Sequence, residues 1–129
     1  MSKYLDHLSR KGLNAKLPKL DCFPTQFKNF TITIRVPEYT SVCPKTGLPD
    51  FGTITVSYVP NKLCVELKSF KYYIHAYRDI GISYENVVNR ILKDLAQALR
   101  PKWMRVQGDF TPRGGISSLI EANYGKKPA

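Results

Sequence analysis

Two stretches of this chain alternate between apolar and polar residues. Asn29 to Val36 reads N-F-T-I-T-I-R-V, and Phe51 to Val59 reads F-G-T-I-T-V-S-Y-V. A period of two puts every second side chain on one face, so each stretch predicts a half-buried strand. The period changes after Ser83. Val87, Val88, Ile91, Leu92, Leu95, Ala98 and Leu99 recur at helical spacing and form one apolar stripe. Ser83 suits the N-cap, Glu85 the first turn, and Pro101 marks the helix end. Earlier in the chain, Leu63 to Glu66 predicts a short strand and Lys68 to Tyr77 a helical segment, with Gly81 interrupting. Lys102 to Phe110 and Ile116 to Ala122 predict the last two strands, joined through Pro112-Arg113-Gly114-Gly115. Strand, strand, helix, helix, strand, strand is an α+β order.

Two segments fall outside this pattern. Residues 1–28 mix charge, proline and scattered apolar positions, which predicts a loosely ordered arm with one helical turn. Residues 29–125 then form a single domain, and 126–129 a tail. Pro37 to Asp50 is expected to be a loop too long for a tight hairpin, and long loops on rigid scaffolds often carry function. A four-stranded antiparallel sheet with both helices on one face leaves its edge strands exposed, and proteins must manage such edges.

Composition narrows the function classes. At 129 residues and 43% hydrophobic content the chain can build one core. Twenty basic residues against ten acidic ones give a formal charge of +10. That surplus attracts anions such as nucleic acid, acidic membrane or phosphorylated cofactors. The charges are scattered, whereas a nucleic-acid-binding module needs a basic stripe with exposed aromatics. Cys22, Cys43 and Cys64 are widely spaced, with no CxxC pair or Cys/His cluster, so no metal site is expected. They read as reduced thiols of a cytoplasmic protein. No apolar run reaches the roughly 20 residues that span a bilayer.

The candidate chemistry lies in Cys43-Pro44-Lys45-Thr46-Gly47-Leu48-Pro49-Asp50-Phe51. Two prolines stiffen this loop and a glycine turns it, so it presents a thiol and a carboxylate together. A thiol with a nearby base is the minimal kit for covalent attack on an electrophilic carbon. A Pro/Gly turn that happens to contain a cysteine has the same spacing.

The loop, followed by Glu66-Leu67-Lys68-Ser69-Phe70-Lys71-Tyr72-Tyr73, resembles the signature pair of the 7-cyano-7-deazaguanine reductases. These are the NADPH-dependent nitrile reductases of queuosine biosynthesis. The likeness runs on through Tyr84-Glu85, Trp103 to Phe110 and Thr111 to Ile116, in family order and across most of the chain. The resemblance implies the tunnelling fold, in which sheets of several subunits join into a barrel. With no internal repeat, the chain resembles the single-module members, whose two pentamers stack into a decamer.

By this resemblance Cys43 is the nucleophile toward the nitrile carbon of 7-cyano-7-deazaguanine, and Asp50 moves the proton. Glu85 matches the glutamate that holds the base edge, and Val65, Glu66 and Leu67 match a second substrate segment. Lys68, Ser69 and Lys71 fall in the motif associated with NADPH; Arg113 and Gly114 are further candidates for its phosphates. Tyr84 stands where some members have histidine, which keeps a hydrogen-bond role and removes an ionising one. His7 and His75 match no functional position. The ordinary alternatives are a helix-dipole carboxylate for Glu85, a surface ion pair for Glu66 and a solvated helix face for the lysines. Archaeal relatives that form an amidine on transfer RNA share the covalent step but lack the cofactor motif. The intact Glu66 to Tyr73 segment therefore favours reduction, with no nucleic acid as partner.

Overall fold

The computed structural model describes residues 12–128. His7, and the first part of the expected arm, lie outside the described residues. The rest of the arm is more ordered than its composition predicts. A helical turn at 12–14 leads to strand β1 (Cys22–Pro24), which pairs antiparallel with β4 (Leu63–Val65). Arg90 holds the arm from below, donating to the backbone oxygens of Gly12, Leu13 and Ala15 while its Nε pairs with Asp94. Three residues of strand are too few to show a period, which is why the sequence reads as irregular there.

The main sheet is four-stranded and antiparallel, in the order β2 (Ile32–Val42), β3 (Pro49–Val59), β5 (Trp103–Arg113), β6 (Ile116–Gly125). Both alternating stretches lie in strands, although β2 begins at Ile32 and Asn29, at φ 62, turns the chain before it. The long loop expected from Pro37 to Asp50 is not there. Strand β2 continues to Val42, and only the short connection 43–48 joins it to β3. The register shifts between Val36 and Tyr39, so Pro37 and Glu38 form a bulge. Proline cannot donate to a ladder, and an edge strand with a bulge is where it is tolerated. A second shift between Phe110 and Arg113 accommodates Pro112 in the same way. The β5–β6 turn is Gly114-Gly115, both at positive φ, the conformation a two-residue hairpin requires.

Helix α1 (Leu67–His75) continues as a 3-10 turn (Ala76–Asp79), and helix α2 covers Tyr84–Leu99. Ser83 caps α2 as expected, its Oγ accepting from Asn86 N–H at 3.2 Å. Arg100, in the left-handed region just before Pro101, ends it. Both helices pack on one face of the sheet. Ile54, Val56 and Tyr58 of β3 and Met104, Val106 and Phe110 of β5 meet Phe70, Tyr73, Val88, Ile91 and Leu95 there. Leu92 and Ala98 of the predicted stripe sit at its half-buried margin, and Ala96 is buried instead. Among the described residues no helix is long and apolar enough to cross a membrane.

Candidate active site

The period of two that builds the core also aims the site. Asp50 has the same parity in β3 as Gly52, Ile54 and Val56, so its side chain points to the helix-covered face at the end of the core. It is 4% exposed. Across the ladder Ser41 is its register partner, and Tyr39 and Ser41 are both buried on that face. Chain 80–82 docks against the end of β2: Val42 N–H donates to Ile80 O, and Ile82 N–H donates to Val42 O. That contact carries Tyr84, in the first turn of α2, to the Asp50 carboxyl and the Cys43 connection, with Glu85 next to it in the same turn.

The Cys43 connection is closed by its own backbone. Cys43 N–H donates to Leu48 O, and Gly47 N–H donates to Cys43 O, both at 2.8 Å. Gly47 sits at φ 73, a left-handed conformation that favours glycine. Partial burial pushes the Cys43 thiol up. Hydrogen bonds from the Thr46 hydroxyl and from the backbone N–H groups of Thr46 and Lys45 outweigh it, and the thiol titrates below its ordinary value. The charge of Asp50 opposes that shift.

Asp50 is held from two sides. Arg113 Nη2 lies 2.6 Å from its Oδ1, and the Tyr84 hydroxyl donates to the same oxygen at 3.1 Å. Burial pushes the Asp50 carboxyl up; the Arg113 guanidinium and the Tyr84 hydroxyl pull it down, and burial prevails. The Tyr84 hydroxyl is itself pushed up, by burial first and then by the Asp50 charge. The Tyr84 ring lies flat on Phe110, with centroids 3.8 Å apart and planes 6° from parallel. The carboxyl is raised and the thiol lowered, and both shifts run in the direction that eases passing a proton between them.

The structure therefore brings together Cys43, Asp50, Tyr84 and Arg113, with Gly114 in the hairpin tip that carries Arg113 and Glu85 following Tyr84 in the first turn of α2. Arg113 engages Asp50 and donates to Pro49 O at 2.9 Å, using two bonds that a cofactor phosphate would otherwise receive. Glu85 is exposed at the first turn of α2. Val65, Glu66, Leu67, Lys68, Ser69 and Lys71 form a separate group at the start of α1. Val65 is buried in the core, and Leu67 is exposed. Glu66 is not on a strand with Cys64, as its spacing suggests; it is the N-cap of α1. Its carboxylate accepts from Lys68 N–H at 2.7 Å and Ser69 N–H at 2.8 Å, which holds it below the usual carboxylate range. The Ser69 hydroxyl donates to Glu66 O and accepts from Asp21 N–H. Lys68 and Lys71 are exposed and join no ion pair among the described residues. His75 is exposed on α1.

The two groups lie at opposite ends of α1 and its 3-10 extension. Nine helical and four 3-10 residues span them. At their usual rises per residue they separate the groups by about 20 Å.

Comparison with known proteins settles the kinship. The profile of the family described as QueF-like protein matches residues 49–129. A reductase of Elusimicrobium minutum named NADPH-dependent 7-cyano-7-deazaguanine reductase is 58% identical over 95% of this chain and 92% of its own length. The chain belongs to the QueF-like, 7-cyano-7-deazaguanine reductase family. A family member of the same name from Chloroherpeton thalassium is 57% identical over 81% of this chain and 92% of its own. The crystal structure of the apo form of the archaeosine synthase QueF-Like superposes with a TM-score of 0.72, covering 79% of this chain and all of that one. At 22% identity that likeness concerns the fold alone.

Within this family chain, Thr46, Phe110 and the Arg113–Asp50 pair are features that the sequence does not announce. Thr46, three residues after Cys43, is the one with a local signal. The buried hydroxyls of Tyr39 and Ser41, on the same face as Asp50, are also missed.

The electrostatics give a pH prediction. Arg113 pulls the Asp50 carboxyl down, so Arg113→Gln leaves burial less opposed and the carboxyl rises further. If ionised Asp50 receives the thiol proton, the acid limb of the kcat/KM profile moves to higher pH in that variant. An acid limb that stays put or moves to lower pH rejects this coupling.

Proposed function

We propose that this chain reduces the nitrile of 7-cyano-7-deazaguanine to the primary amine, 7-aminomethyl-7-deazaguanine, with NADPH as hydride source. The observation that carries the proposal is the pairing of a lowered Cys43 thiol with a buried, raised Asp50 carboxyl, in a chain 58% identical to a reductase of that name.

The Cys43 thiol gives its proton to Asp50 as Sγ adds to the nitrile carbon. Asp50 returns that proton to the nitrile nitrogen, leaving a neutral thioimide on Cys43. Attack needs the thiolate, and the Thr46 and backbone hydrogen bonds stabilise it. NADPH would supply two hydrides in succession, each completed by a proton taken up from solvent onto nitrogen, so two molecules are used per nitrile. Between those reductions the C–S bond breaks and Cys43 leaves as the thiol, releasing an imine that accepts the second hydride. Tyr84 and Arg113 hold the Asp50 carboxyl in place. Glu85 accepts from the adjacent N–H donors of the guanine-like edge, a pair of bonds that a carboxylate makes in parallel. Lys68 and Lys71 fit the cofactor phosphates as exposed point charges that pair with no carboxylate among the described residues. Arg113 fits less well there while it is engaged with Asp50.

The separation of about 20 Å, set by the α1 rise, supports a site shared between copies of this chain. One copy then gives Cys43, Asp50 and Glu85, and a neighbour gives Glu66 to Lys71. The free edges of β2 and β6 fit the same reading, because pairing them between copies closes the sheet into the barrel of the tunnelling fold. A decamer of two stacked pentamers, working in the cytoplasm, is the assembly we propose.

Complementation tests the shared site. Cys43→Ala and Glu66→Ala chains, each inactive alone, regain part of the wild-type rate when co-expressed, since some interfaces combine an intact Cys43 with an intact Glu66. Mixed assemblies that stay inactive argue that each chain builds its own site.

A further inference from the structure

The face of the sheet away from the helices holds a second feature that the reductase chemistry does not use. At the far end from Cys43 it forms a pocket of about 560 Å³. Lys102, Arg105 and Lys127 bring three cations to its wall, and Thr33 and Ser57 bring hydroxyls. No carboxylate lines it among the described residues. Glu121, on the same face of β6, accepts from Gln107 and Asn123 and makes no ion pair with Arg105.

Two of the cations are stacked against one indole. Arg105 Cζ lies 5.4 Å and Lys127 Nζ 5.3 Å from the centre of the Trp103 ring, which is 4% exposed. The Arg105 Nε is fully enclosed and has no hydrogen-bond partner among the described residues. A buried guanidinium N–H without an acceptor is costly, and such a group in a folded protein calls for an explanation. Like charges gathered around one ring also repel each other unless an anion joins them. The fork of arginine and the point charges of lysine suit phosphate oxygens.

We propose that this pocket binds an oligophosphate anion, through Arg105, Lys127 and Lys102, with Ser57 and Thr33 donating to further oxygens. Its volume exceeds what one phosphate fills, and three cations match the charge of a di- or triphosphate. The site shares no residue with Lys68, Ser69 and Lys71, so it is independent of the proposed reductase cofactor contacts.

Trp103 is the only tryptophan in the chain, which makes its emission a direct reporter. The assembled protein is titrated with pyrophosphate, and with potassium chloride at matched ionic strength. The expected result is a saturable change with pyrophosphate alone. It is weakened about tenfold or more in Arg105→Gln and in Lys127→Ala, as loss of a charge-assisted hydrogen bond implies. Lys127 is exposed in the tail, so its variant remains informative if the Arg105 variant fails to fold. Cys43→Ala binds like the wild type. Adenosine triphosphate gives the same change and adenosine none, because the phosphate chain is what is read. Any of three results overturns the proposal: no saturable change with pyrophosphate, an equal change with the chloride control, or unaltered affinity in Lys127→Ala.

Discussion

Cys43→Ala is expected to lower nitrile reduction by about a thousandfold or more, the scale seen when a covalent nucleophile is removed. The variant also fails to gain mass when incubated with 7-cyano-7-deazaguanine, whereas the wild type gains the mass of one substrate per reactive chain. The fold should survive. The two hydrogen bonds that close the connection, Cys43 N–H to Leu48 O and Gly47 N–H to Cys43 O, are made by backbone and persist in alanine. Cys22 and Cys64 cannot substitute. Cys22 is held against Ala98 O by a weak thiol bond and is raised by burial first and by Asp21 second, while Cys64 is 5% exposed. A Cys43→Ala chain that reduces the nitrile at the normal rate removes the covalent mechanism.

The second large effect belongs to Asp50. Asp50→Asn keeps the shape and a hydrogen-bond acceptor for Tyr84 but cannot take the thiol proton. Loss of a positioned proton-transfer group costs about a hundredfold to ten-thousandfold. The loss should fall on kcat, because Asp50 lies 4% exposed behind Tyr84 and Arg113 and is not placed to hold the base edge. The pH dependence carries the sign. Without Asp50 the thiol proton must go to solvent, so the residual rate of adduct formation climbs as pH rises through the Cys43 titration. A residual rate flat across that range would mean that Asp50 is only a structural partner of Arg113. Arg113 is 44% exposed, so the charge left behind in the variant turns to water at little cost.

Most of the architecture is legible in the sequence because hydrophobic burial imposes the periods. The alternation of Asn29 to Val36 and Phe51 to Val59, and the stripe from Val87 to Leu99, each report which face meets the core. What was not legible depends on partners far along the chain. Pro37 reads as the end of a strand, yet β2 runs on to Val42, because the bulge and the free edge spare Pro37 the hydrogen bond it cannot make. Strand β1 exists only through its pairing with β4, some 40 residues later. In the sequence, the roles of Cys43 and Asp50 are legible only through likeness to a family, since a stiff turn containing a cysteine has the same spacing. Arg113, beside two glycines, reads in the sequence as a phosphate ligand. The β5–β6 hairpin instead swings it onto Asp50, and nothing local to either residue encodes that meeting. Glu66 likewise gains its cap role from the chain turning into α1 immediately after β4.

The most direct test is NADPH oxidation, followed by absorbance, on adding 7-cyano-7-deazaguanine to reduced, assembled protein. Our account predicts two NADPH consumed for each nitrile and 7-aminomethyl-7-deazaguanine as product, both absent in Cys43→Ala. A covalent adduct on Cys43 with no NADPH consumed, or no reaction at all in assembled protein, would contradict it.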